Sequence, residues 1–126
     1  MNKEVKNRIS EINVEDFIWL IYIVIIILSF YSNSLERKYF LNNDLGSKEK
    51  YRKILIIIFS ILIVVYVYFL QDSFQSLLSI KPTDTEKHKN LVLLSFLGSL
   101  FIAISGFIFL YIALVDEDIN IELAFN

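Results

Sequence analysis

The chain has 126 residues, 56% of them hydrophobic, a formal net charge of −2 and no cysteine. That length suits one small domain, and so balanced a charge offers no basic field to hold nucleic acid. The absence of thiols excludes disulfides, thiolate metal sites and a cysteine nucleophile.

Residues 17–31, 54–70 and 91–115 contain no Asp, Glu, Lys, Arg or His, so every charge lies outside these three runs. A core helix of a soluble protein shows one apolar stripe, whereas these runs are apolar on every face, as a helix in lipid must be. The pattern predicts an all-α membrane protein, with residues 1–126 as a single membrane domain. Its three transmembrane helices span about 17–33, 54–71 and 91–115, flanked by a polar tail over 1–14 and an acidic tail over 116–126.

Asn13, followed by Glu15 and Asp16, reads as the start of the first helix: a capping side chain, then carboxylates at the positive end of the dipole. Lys3, Lys6 and Arg8 precede it as the basic region of a secretory signal would, but the intervening acids and the lack of a small-x-small cleavage site favour a retained span. Trp19 and Tyr22 suit an interfacial aromatic belt. The strictly apolar run is short, roughly 24 Å against a core of about 30 Å, so the helix is expected to continue towards Lys38, with Arg37 and Lys38 snorkelling. Tyr22, Ser29, Ser32, Asn33 and Glu36 fall near one stripe of this helix. Polar groups in lipid seek partners, so the stripe should act as glue between helices or line a water path.

Residues 42–47, Asn-Asn-Asp-Leu-Gly-Ser, form the clearest turn. Gly46 suits a left-handed helix end and Ser47 the N-cap of the next helix. So short a connection makes the first two helices an antiparallel hairpin. Glu49 and Lys53 form an i,i+4 pair on the wet first turns. The second span is rich in Ile and Val, too long and unbroken for a strand, with Tyr66 and Tyr68 near its far end. Phe74, Leu77, Leu78 and Ile80 then recur among polar residues, predicting a helical extension or an interfacial amphipathic turn.

Pro82 stops that element, and residues 83–86, Thr-Asp-Thr-Glu, match a capping box with Thr83 as N-cap and Glu86 reaching back. The third apolar run is roughly 37 Å long, so tilt is expected. Ser95, Ser99 and Ala103 recur every four residues, the small-xxx-small pattern that lets backbones approach, with Gly98 and Gly106 widening the groove and Ser105 placed to bond across it. This face serves either packing within the chain or a contact between copies. Asp116, Asp118, Asn120 and Glu122 alternate like a calcium loop, but Ile121 replaces the required Gly and the twelfth-position Glu is missing. The alternating Ile119, Ile121, Leu123 and Phe125 favour a short strand or an interfacial tail instead.

Lys and Arg near span ends set topology. Arg37, Lys38, Lys48, Lys50, Arg52 and Lys53 lie in the first loop, while Lys3, Lys6 and Arg8 of the N-terminal tail share the other face with Lys81, Lys87 and Lys89, six against six. The crowding of the first loop favours placing it in the cytoplasm and the N-terminus outside the cell membrane. The tie itself raises dual insertion as an alternative.

No catalytic set stands out. His88 is the sole histidine, set between Lys87 and Lys89, where it reads as a solvated residue. The uncharged spans disfavour ion-coupled transport, which needs a titratable group at depth. In length and span number alone, the layout is similar to that of holins, toxin-immunity proteins and membrane effectors of phage defence. Such a chain is expected to be a small oligomerising membrane protein that forms a pore or permeabilises the membrane, with no cofactor and the bilayer and further copies as its partners. The alternatives are an accessory or immunity-type subunit acting on a membrane-protein partner and, with less support, a dual-topology transporter.

Overall fold

The computed structural model describes residues 2–121 and 123. Three α-helices follow in order: α1 (Lys3–Asn42), α2 (Leu45–Leu78) and α3 (Glu86–Val115), with no strand among the described residues. Each predicted span lies inside one helix, and all three helices are long and apolar enough to cross a membrane. The chain is therefore a small multi-pass integral membrane protein whose regular structure, among the described residues, is all α-helical.

The helix boundaries differ from those expected. α1 begins at Lys3, ten residues before Asn13, and the Asn2 side chain caps it by accepting from the Glu4 amide at 3.0 Å. No Gly or Pro interrupts residues 3–16. Arg8 holds Glu11 at 3.0 Å and Glu15 at 3.8 Å along one side, so the predicted polar tail is helical. At 40 residues α1 is about 60 Å long, twice the hydrocarbon thickness.

The turn between α1 and α2 is Asn43-Asp44. The left-handed residue is Asn43, at φ 52°, and Gly46 lies within the first turn of α2. Asn tolerates that conformation through its short polar side chain. The cap is Asp44, not Ser47: its Oδ1 accepts the Ser47 amide at 3.3 Å, and its carbonyl accepts the Lys48 amide at 3.2 Å. A Cβ at Gly46 would lie 3.3 Å from Asp44 Oδ1, so the glycine leaves room for the capping carboxylate.

α2 continues without a break to Leu78, as the helical extension predicted after the second apolar run. The hydroxyls of Ser73, Ser76 and Ser79 donate to the carbonyls of Leu70, Asp72 and Gln75, which keeps this polar stretch bonded to its own backbone. Residues 81–84 then close a turn, in which the Asp84 amide donates to the Lys81 carbonyl and Asp84 Oδ2 accepts the Lys81 amide. That turn absorbs Thr83, so the cap of α3 falls on Thr85, whose Oγ1 accepts the His88 amide at 3.1 Å. Glu86 lies 3.5 Å from Lys89 rather than reaching back as a capping box requires.

The residues group into two compact units, one ending at Tyr51 and the other beginning at Arg52. In the first, the chain reverses sharply: Lys38 Nζ lies 3.5 Å from Asp44 Oδ2, and Lys48 Nζ stands 5.4 Å from the Tyr39 ring centroid. The last turns of α1 and the first turns of α2 thus run antiparallel. Ile18, Ile25, Ser32 and Leu35 are the buried residues of α1.

In the second unit α2 and α3 pack antiparallel. Arg52 meets Leu114, Phe59 meets Phe109, Tyr66 meets Gly106 and Phe74 meets Phe96, so positions rise on one helix as they fall on the other. Leu55, Ile58, Phe59, Leu62 and Val65 are buried on α2, and Ala103, Gly106 and Ala113 on α3. At Gly106 the bulky Tyr66 and Ile63 of α2 meet a residue without a side chain on α3, the kind of fit by which helices associate where lipid removes the hydrophobic driving force.

Candidate functional site

The predicted small-residue face divides in two. Val92, Phe96, Ser99, Ala103, Gly106, Leu110 and Ala113, spaced alternately by four and three, are all half-buried or buried. Ser95 and Gly98 are exposed, and a Cβ at Gly98 would have nothing within 4 Å. Steps of four residues drift about 40° around a helix, whereas alternating threes and fours hold one seam. The 95–99–103 series therefore leaves the packed seam at its start.

Gly106 is the tightest point of that seam. A Cβ there would lie 2.9 Å from Tyr66 Cδ2 and 3.4 Å from Ile63 Cγ1, so this end of the face is engaged within the chain. Ring contacts at 5.8 Å, Phe59 with Phe109 and Phe74 with Phe96, flank it above and below. Beside the second pair, an apolar groove of about 430 Å³ is lined by Val67, Leu70, Gln71, Phe74, Phe96 and Leu100.

The Ser105 and Ser60 hydroxyls bond to their own helices. Ser105 donates to the Phe101 carbonyl at 2.9 Å instead of bonding across the groove, and Ser60 donates to Ile56 at 2.6 Å. On α1 the polar stripe is largely collected on the buried side. Ser32 is fully buried and donates to the Ser29 carbonyl at 2.8 Å, while Tyr22, Ser29 and Glu36 are half-buried and Asn33 is exposed. Tyr22, Ser29, Ser32 and Glu36 follow the same four-three alternation with Ile18 and Ile25, and Asn33 falls outside it.

The end of α3 holds an arrangement that sequence reasoning missed. Arg52 Nη2 donates to the Leu114 carbonyl at 3.3 Å, a cation at the negative end of the helix dipole, while its Nε is buried without a hydrogen-bond partner. Asp116 caps the helix. Its carboxylate is held below the usual range by the backbone amides of Asn120, Ile121 and Asp118, and by the nearby Arg52 guanidinium; the Ile121 amide lies at 2.8 Å. Residues 116–121 are therefore a turn, with Ile119 at φ 55°, and carry no strand, the first of the two forms expected from the alternation. Glu122 and Phe125 lie outside the described residues. Among the described residues no group of three His, Asp or Glu side chains is placed to hold a metal ion. His88 is exposed on the first turn of α3, its Nε2 4.0 Å from Asp84 Oδ2.

No family model, curated protein or solved structure matches the chain.

Proposed function

We propose that the chain is a small oligomerising protein of the cell membrane that forms or gates a pore, or otherwise permeabilises the bilayer, in the manner of a holin or a membrane effector. The observation that carries this reading is the outward placement of Ser95 and Gly98 on α3. These two small residues interrupt a surface of Leu, Ile and Phe, and the space beside Gly98 is open. On a lipid-facing helix such a gap admits the backbone of another helix. In this reading the N-terminus is outside and the α1–α2 turn cytoplasmic, because its bases crowd the ends of two spans.

Full-length protein in detergent should give a discrete oligomer by mass measurement, and proteoliposomes should release an entrapped dye. A monomer, or leakage equal to that of empty vesicles, would sink the reading.

The N-terminal part of α1 favours a second reading, an accessory or immunity-type subunit. Val5, Ile9 and Ile12, exposed at 41–46%, form a helical stripe ahead of the first apolar run, where a partner protein has access. Such a subunit would be monomeric alone and would co-purify with a defined neighbour.

A further inference from the structure

A group of large apolar side chains left exposed outside the apolar runs marks an interaction surface. Phe40 at 63%, Leu41 at 75% and Leu45 at 66% exposure stand together at the α1–α2 turn. Arg37 and Lys38 on the last turns of α1, and Lys48 and Lys50 on the first turns of α2, accompany them. Residues 36–53 hold six Lys or Arg against three Asp or Glu. One of those acids, Asp44, is already engaged by the Ser47 amide and by Lys38. The opposite loop provides the contrast, since Lys81, Lys87 and Lys89 are matched there by Asp72, Asp84 and Glu86.

We propose that this turn docks on the headgroup layer of an anionic bilayer, Phe40, Leu41 and Leu45 entering the interface while Arg37, Lys48 and Lys50 meet lipid phosphates. Apolar side chains flanked by bases are what an anionic interface takes up. Helical side chains lean towards their own N-terminus, so those of Phe40 and Leu41 lean back towards the bilayer that α1 has just crossed.

Because the chain has no cysteine, Leu41→Cys takes a single environment-sensitive fluorophore in the full-length protein. Leu45→Cys serves as an independent second site should the first variant fail to fold. The label should emit further to the blue in phosphatidylglycerol vesicles than in phosphatidylcholine vesicles. The difference should vanish in 1 M salt, where the Debye length falls to about 3 Å. Replacing Lys48 and Lys50 by Gln should weaken the response to phosphatidylglycerol about 25-fold, fivefold for each base near an anionic surface. Equal emission in the two vesicle types overturns the proposal. So does a blue shift in neutral vesicles that grows with protein concentration, which would assign the patch to a second copy.

Discussion

Gly106 faces the ring of Tyr66 so closely that a methyl group built on it would lie 2.9 Å from Cδ2. Real carbon atoms do not approach that closely, so any side chain at 106 must displace a ring wedged between two helices. The contact explains why a small residue stands at this level of a helix otherwise rich in Phe, Ile and Leu.

Gly106→Leu should destabilise the monomer fold. Overpacking a seam of this kind costs about 1–3 kcal/mol, which exceeds the roughly 1 kcal/mol that helix propensity returns when glycine is replaced. Tyr66→Ala opens the space, so the double variant should be less damaged than the sum of the two single changes, by about 0.5–3 kcal/mol. Unfolding in a denaturing detergent reads the cycle. Strict additivity would remove the contact from the list of forces holding α2 to α3.

Gly98→Leu addresses the other half of the small-residue face and should leave the monomer fold intact, because among the described residues nothing lies within 4 Å of a Cβ added there. Its effect should fall on assembly alone, moving the oligomer towards monomer in size-exclusion chromatography with light scattering while the helical circular dichroism stays unchanged. Assembly that survives both Gly98→Leu and Ser95→Leu would place the contact between copies on another face.

Arg52→Met keeps the apolar stem and removes the donor to the Leu114 carbonyl. A cation at a helix C-terminus is worth about 0.3–1 kcal/mol, so the last turn of α3 should fray while the rest of the helix holds. Hydrogen exchange of the amides from Leu114 to Asp118 should quicken severalfold with no change near Gly106. Unchanged exchange would show that Asp116 alone secures this end.

The tail turn and the α1–α2 turn should both resist acid to below the usual carboxylate range. Asp116 is lowered from 3.8 mainly by the Asn120 amide, and Asp44 from 3.8 mainly by the Ser47 amide. A carboxylate whose folded pKa is depressed contributes stability above its unfolded value, and that contribution is lost as pH falls through the folded value. Both turns should therefore be intact at neutral pH and loosen only below about pH 3.8. Amide chemical shifts of Ser47 and Ile121 followed through an acid titration should move together with their own carboxylates. A transition centred above that pH would contradict the assigned bonds.

Asp116→Asn keeps an acceptor oxygen but abolishes the charge, so the Ile121 amide should be less protected from exchange and its protection should no longer fall with acid. The same substitution should leave the α1–α2 turn untouched, which separates the local effect from a general loss of fold.

Membrane character, the number of helices and their approximate spans were legible in the sequence, because exclusion of charge from a long run is a one-dimensional signal that lipid enforces residue by residue. The continuation of α2 past Leu70 was legible for a similar reason, since its apolar residues recur at helical spacing. The helix ends were less so. Asn13, Ser47 and Thr83 each carry a competent capping side chain, yet the caps fell on Asn2, Asp44 and Thr85. Several residues compete for each end, and the winner depends on which of them the neighbouring turn leaves facing a free helix amide. The small-residue face shows the deeper limit. Composition marks Ser95, Gly98, Ser99, Ala103 and Gly106 alike, and only the packing of α3 on α2 separates Gly106, pressed against Tyr66, from Gly98, left open. Arg52 and Leu114, 62 positions apart, meet for the same reason. Hydrophobic exclusion acts on each residue alone and can be read along the chain, whereas steric fit acts between pairs and exists only once the helices are side by side.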